Sequence, residues 1–299
     1  MRNNDNAFFY RKDLKIVGPS LDEDLEGTLG EETVPKFSPL VDFLPEGGDP
    51  IDGIPAKIAI RTTDKKGRGI AVQGSIIRED GVEVTAFKSN DQGYALCLLR
   101  PNIGEKYLAL IKGDTFHLPM VKDAGATIRV NHSFGSDKAH IAVQSKNIDI
   151  KDGTLLVHSR GRFLFSRKCP EKNSMVVAIN KSILGEGIVH ITFFNKDRIP
   201  LTERLIFPNP PSNGKDVEIA PDRDIYEKRS KVTLEVAAQS DTVHSASITV
   251  NPLLESSYGE YAENIENYLL LKSDLKGRID SPGFYFTGTE ASYMALDLL

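Results

Sequence analysis

Three carboxylates stand close together in "EGGDPIDG", residues 46 to 53: Glu46, Asp49 and Asp52. Carboxylate oxygens in a glycine-rich loop are the hard ligands that hold calcium. Their spacing lacks the alternation of an EF-hand loop, so a solvated turn is the favoured reading. The six histidines are His117, His132, His140, His158, His190 and His244. None pairs at i, i+4 and no H-E-x-x-H occurs; several fall on strand-like runs, where a solvent-facing side chain is expected. Cys97 and Cys169 form no C-x-x-C, and Cys97, in an apolar run, reads as a small buried hydrophobe. There is no G-x-S-x-G and no Walker sequence, and "GRGIAVQG" has the wrong glycine spacing for a dinucleotide fingerprint. No catalytic, cofactor-binding or metal-ligating residue is therefore assigned, and no cofactor is expected.

Weaker candidates remain. In "SRGRFLFSRK", Arg160 and Arg162 are set against Phe163 and Phe165, favouring a solvated face over a buried one rather than an anion site. Asn131 and Asn180 lie in N-x-S sequons, which matter only in an exported chain. The chain has 42 acidic residues, and spacing alone selects no glycosidase-like pair among them. Tyr258 and Tyr261 in "SSYGEYAEN" are the residues that a sugar-stacking face would use, in a chain without tryptophan.

Charge excludes some partners. Lysine and arginine number 37, the net charge is −5, and the cations are spread along the chain, so there is no basic face for nucleic acid. No apolar run approaches the roughly 18 residues of a membrane span. The start "MRNNDNAFFYRKD" has no signal-like apolar stretch. Taken literally this means cytoplasm; it equally fits a chain that begins downstream of its signal. The apolar end "YMALDLL" suggests a natural protein that continues past Leu299.

The elements that would have to position any site are strands. From Val41 onward, "KIAIRT", "IAVQGSIIRE", "VEVTAFKS", "GYALCLLR", "KYLALIKG" and "FHLPMV" are short β-branched and aromatic runs separated by turn residues. Gly81, Gly93 and Gly104 are read as turn glycines. In "GYALCLLR" both faces are apolar, which predicts a strand buried on both sides. A second block runs from "ATIRVNHS" to "PLTERLIFP", with Val189, Ile191 and Phe193 alternating with His190 and Thr192. "NPPSNGK", residues 209 to 215, is the best domain boundary. Beyond it Val232, Leu234, Val236 and Ala238 alternate as an amphipathic strand. Ile265, Leu269 and Leu270 then take helical spacing, predicting a helix over 262–275.

The expectation is an all-β chain of tandem immunoglobulin-like β-sandwiches with a short helical segment near the C-terminus. The blocks are 1–37, a strand remnant and acidic linker; 38–122 and 123–208, two sandwiches; and 209–299, a third sandwich, truncated.

"VDFLPEGGDPIDGIPAKIAIRTTDKKGRGIAVQGSI" resembles the opening of a macroglobulin-like domain of large bacterial envelope proteins, with an apolar pair leading into P-E-G-G. "GIVHITFFNKDRIPLTERLIFPN" resembles its closing strands, with Glu203, Arg204 and Phe207 matching E-R-x-x-F. "DRDIYEKRSKVTLEV", with Tyr226, Arg229 and Val232, resembles the start of the next domain, and "ENYLLLKSDLKGRIDSPGFYF" the segment that follows in Gram-negative members. The resemblance covers roughly residues 38 to 299. It implies a tandem array of macroglobulin-like β-sandwiches and export to the periplasm or outer-membrane surface; in some relatives the array precedes a plug-like domain of TonB-dependent receptors. The thioester motif C-G-E-Q is absent around Cys97 and Cys169, so covalent protease trapping is not expected.

The function expected is a non-enzymatic structural and interaction segment of a cell-envelope protein, contacting protein partners or further domains of its own polypeptide. Two alternatives stand beside it: a carbohydrate- or peptide-binding module for nutrient capture at the outer membrane, and a hydrolase with an unrecognised carboxylate pair.

Overall fold

The structure is a computed structural model that describes residues 39–209, 217–238 and 261–299. The first sandwich has seven strands: β1 (Leu40–Pro45), β2 (Ala56–Thr63), β3 (Gln73–Arg78), β4 (Glu83–Lys88), β5 (Tyr94–Leu99), β6 (Tyr107–Ile111) and β7 (Asp114–His117). They form two antiparallel sheets, β1-β2-β5 and β4-β3-β6-β7. The second sandwich has β8 (Gly125–Asn131), β9 (Lys138–Lys146), β10 (Thr154–Ser159), β11 (Arg162–Lys168), β12 (Ser174–Asn180), β13 (Val189–Phe194) and β14 (Pro200–Ile206). Its sheets are β8-β9-β12 and β11-β10-β13-β14. Advancing each strand of the first sandwich by seven gives the second, so one three-plus-four topology occurs twice in tandem.

Alternation explains both cores. Along β9, Ala139, Ile141 and Val143 are buried, and opposite them on β12 Met175, Val177 and Ile179 are buried. They close with Leu155, Val157, Ile191 and Phe193 over one core. Ile58, Ile60, Ile76, Cys97, Ala109 and Ile111 make the other. Gly81, Gly93 and Gly104 all take positive φ, as turn residues do. Burial lifts the Cys97 thiol to about 11 and raises that of Cys169 as well. Neither thiol is therefore expected to react with a disulfide reagent near pH 8 until the protein unfolds, when both should titrate. Rapid labelling of the native protein would contradict this packing.

The sequence expectations need correcting in three places. β5 is not buried on both faces: Leu96 and Leu98 are 41% and 66% exposed. The reason is position, since β5 is the outer strand of its sheet and only the Tyr94 end of its outer face is covered. "SRGRFLFSRK" is not one strand but the end of a hairpin, turning at Arg160 and Gly161, both with positive φ. Phe163 is exposed, whereas Leu164 and Phe165 pack on the second core. The helix at Ile265–Asn267 (α1) passes into a wider turn at Tyr268–Lys272, in which Ser273 N–H donates to the Tyr268 carbonyl. Its buried face carries Asn267 and Leu271, with Leu270 packed beside them as expected, and Ile265 and Leu269 are exposed.

Residues 261–299 join the two sandwiches in one compact unit, while the described residues 217–238 belong to a second. The helical segment thus belongs with the first unit rather than with the block that begins at Asn209. Its apolar residues explain this: Leu271, Ile279, Tyr285, Ala295 and Leu296 build a third core with Ile188 and Phe207 of the second sandwich. Each large side chain so buried contributes about 1.5–3 kcal/mol. The last helix, Glu290–Leu298 (α2), starts with a Thr289–Ser292 capping box and places the apolar end of the chain in this core.

In the second unit, β15 (Val217–Pro221) pairs with β16 (Leu234–Ala238) in antiparallel register, Ile219 opposite Val236. The Asp222 carboxylate accepts from Tyr226 Oη at 2.5 Å and from Thr233 N at 3.0 Å, closing their connection. His244 and Tyr258 lie outside the described residues, as does the 1–37 segment.

Candidate functional site: a buried charge cluster at a three-way junction

"EGGDPIDG" is not a solvated turn. It leaves β1 and lies against the second sandwich. The Glu46 carbonyl accepts from Thr127 Oγ1 at 3.0 Å, and the Gly47 carbonyl accepts from Thr202 Oγ1 at 2.5 Å. Glu46 Oε1 accepts from the Val130 N–H at 2.9 Å. Asp52 pairs with Lys146 and accepts from the Ile103 N–H at 2.8 Å, while Asp49 remains exposed. Two of the three carboxylates therefore tie domains together. Among the described residues, no group of three side chains is placed to hold a metal ion.

The loop delivers Glu46 into a buried cluster. Arg204, from β14, reaches Glu46 Oε1 with Nε at 3.5 Å, and its Nη2 donates to Asp297 Oδ1 at 2.9 Å and to the Asp297 carbonyl at 2.6 Å. Lys57 from β2 stands 3.9 Å from the other Asp297 oxygen. His132, expected to face solvent, is buried: Nε2 meets Asp297 Oδ1 at 3.0 Å and Nδ1 meets Tyr293 Oη at 2.7 Å. A carboxylate only accepts, so Asp297 fixes the proton on Nε2. Lys181 Nζ donates to Tyr293 Oη at 2.7 Å and to the Ser133 carbonyl at 2.9 Å. Tyr293 Oη in turn donates to the carbonyl of His132, at 2.6 Å. One oxygen of Glu46 and the Nε of Arg204 have no hydrogen-bond partner, so the cluster is held by charge as much as by geometry.

The electrostatics follow. Burial pushes the Asp297 carboxyl up, but the hydrogen bond from His132 and the charges of Arg204, His132 and Lys57 outweigh it and bring the group down to about 2. Burial raises Glu46, opposed by the Val130 N–H and by Arg204 and Lys57. Burial lowers the Lys181 ammonium. Because Asp297 is more acidic folded than unfolded, it contributes about 2 kcal/mol, fully present above pH about 4 and lost as pH falls toward 2. Urea unfolding of Asp297→Asn should accordingly lose stability relative to wild type at pH 5 and converge on it near pH 2. A constant difference across that range would exclude this source.

Other ties converge here. Arg61 Nη2 donates to the Arg278 carbonyl at 2.8 Å, and Asp280 accepts from the Gly69 N–H at 2.9 Å. Arg160 is exposed, as expected, but it is also tied down: it bonds Asp274 at 2.9 Å and the Leu269 carbonyl. Phe207 meets Phe286 edge-on at 5.8 Å. Glu46, Arg204, Phe207 and the "PGFYF" segment, singled out in separate stretches of sequence, thus meet in one place. His158 and His190 are direct cross-strand neighbours and stack at 4.9 Å, with His190 bonded to Glu203. His117 and His140 are exposed, as are both sequon asparagines. Tyr261 packs on Phe284 within the helical segment. His132 could not have been found from sequence, since both its side-chain partners lie more than 160 residues away.

The fold and junction define a pair of β-sandwiches locked by a helical wedge. No protein-family model matches the chain, and no curated protein does. Among solved structures, it is similar to the BSP domain of a biofilm-associated protein at 17% identity and TM-score 0.28, over 56% of this chain and 29% of that one. It is similar to native E. coli alpha-2-macroglobulin at 12% identity and TM-score 0.24, over 67% of this chain and 16% of that one. Methylamine-reacted Salmonella alpha-2-macroglobulin gives 13% identity and TM-score 0.21, over 66% and 16%. The chain thus spans less than a third of the length of each of these molecules. Among its described residues, no helix is long and apolar enough to cross a membrane.

Proposed function

We propose that this chain is a non-enzymatic structural and interaction segment of a bacterial cell-envelope protein, whose two sandwiches are held at a fixed angle by the helical wedge. The observation that carries the reading is the convergence of Glu46, Arg204 and Asp297, from three separate parts of the chain, on one buried cluster. A mobile linker would expose such charges to water. Here Glu46 is buried, Arg204 and Asp297 are partly buried, and all three are paired, which suits a rigid spacer that presents surfaces at set positions. The envelope assignment rests on the sequence resemblance to macroglobulin-like domains.

The test is a pair of spin labels on exposed residues of the two sandwiches, at Lys88 and Lys168, with the interlabel distance measured in wild type and in Arg204→Ala. A narrow distribution in wild type that broadens in the variant is expected. A broad wild-type distribution would dispose of the spacer role. Fractionation of the source cells should place the full-length protein in the envelope, and recovery from cytoplasm would overturn that assignment.

A further inference from the structure

A cleft of about 650 Å³ opens between the outer strand of one sheet and the outer face of another. On one side are Leu98 of β5 and Arg100 just beyond it, with Lys57 of β2 beside them. The other side is the solvent face of the β8-β9-β12 sheet, where Arg129, Ala142 and Val176 are direct cross-strand neighbours. The alanine keeps this row flat between a cation and an apolar side chain. Leu98 and Val176 are 66% and 71% exposed.

The charge of the cleft is one-sided. Lys57, Arg100, Arg129 and His140 line it and no carboxylate does, in a chain of net charge −5. Lys57 makes one loose ion pair among the described residues, 3.9 Å from Asp297, though its charge also reaches Glu46; neither Arg100 nor Arg129 forms an ion pair with any described residue. β5 and β12 are both outer strands, so a sheet edge runs beside the cationic wall. Backbone groups on such an edge accept an added strand, while alternate side chains of that strand meet the flanking surface. No aromatic side chain lines the cleft, which removes the stacking platform that a sugar would use.

We propose that this cleft binds an extended peptide segment in which carboxylates alternate with apolar side chains. The segment lies along β5, with its apolar residues on Leu98 and Val176 and its carboxylates on Arg100 and Arg129. Bidentate guanidinium–carboxylate pairs set its register, and the positive wall speeds its approach. The inference rests on reading the chain as an interaction segment and names the partner's chemistry. The cleft is formed between the two sandwiches, so it also needs the junction to hold them together.

The experiment is fluorescence anisotropy of a labelled ten-residue peptide alternating glutamate and valine, titrated with the whole chain. Saturable binding is expected, weakening as salt rises from about 0.05 to about 0.5 M. Arg100→Glu combined with Arg129→Glu should reduce the affinity at least about tenfold, as should Val176→Asp. If charge reversal perturbs folding, Arg100→Gln with Arg129→Gln should still give a clear loss at an unchanged unfolding midpoint. Four results would each overturn the proposal: no saturable binding, equal binding of a lysine–valine peptide, preference for an anionic oligouronate, or occupation of the cleft by a second copy seen as self-association that these substitutions abolish. A narrow interlabel distribution at labelled-protein dilution, together with no peptide binding, would sink this inference alone and leave the spacer reading standing.

Discussion

Arg204→Ala is expected to destabilise the unit formed by the sandwiches and the helical segment by about 3–5 kcal/mol, the cost typical of removing one member of a buried ionic network. Among the described residues, the guanidinium is the group that forms ion pairs with both the carboxylate of Glu46 and that of Asp297. Without it Glu46, already lacking a partner for one oxygen, is left with the Val130 N–H alone. Asp297 retains His132 and a distant Lys57. Hydrogen exchange should quicken first in α2, which loses the anchor at Asp297, and only later in the cores. Adding Glu46→Gln and Asp297→Asn should recover about half of the loss, because the uncompensated charges are then gone. A single-variant loss below about 1 kcal/mol would mean the cluster is no keystone.

Gly47→Ala should be nearly as damaging, at about 3–5 kcal/mol by urea unfolding. Gly47 has φ +79°, and an added Cβ would lie 2.5 Å from Ile128 N and 2.6 Å from Thr127 Oγ1. The left-handed conformation alone costs an L-residue about 1–2 kcal/mol. The remainder comes from pushing the loop off β8, which breaks the contacts of Glu46 with Thr127 and Val130. Its neighbour Gly48 supplies the control: φ is +109° and nothing lies within 4 Å of its Cβ position. Gly48→Ala should therefore show the conformational cost without the clash. Equal losses at the two positions would show that backbone freedom, and not close approach, is what Gly47 supplies.

Much of this molecule was legible one segment at a time. A strand's period of two and a turn's need for glycine are local properties, so β9, β12, β13 and the turns at Gly81, Gly93 and Gly104 could be read directly. The doubling of the pattern into two blocks was visible for the same reason. Positions that depend on a distant partner were not. Leu96 and Leu98 are as apolar as Ala95 and Cys97, but only the latter face a second sheet. Ile265 and Leu269 have helical spacing, but the face that meets the third core carries Leu270 and Leu271 instead.

The sequence by itself determined an all-β chain of short strands with a helical stretch near its end, because side-chain alternation and turn chemistry act between near neighbours. Only the tertiary structure decided that residues 261–299 return to the first unit and that Glu46, His132, Arg204, Tyr293 and Asp297 form one cluster. Burial and Coulomb energy depend on distance in space. These residues are neighbours only in the folded tertiary structure, where segments as far apart in sequence as Glu46 and Asp297 meet.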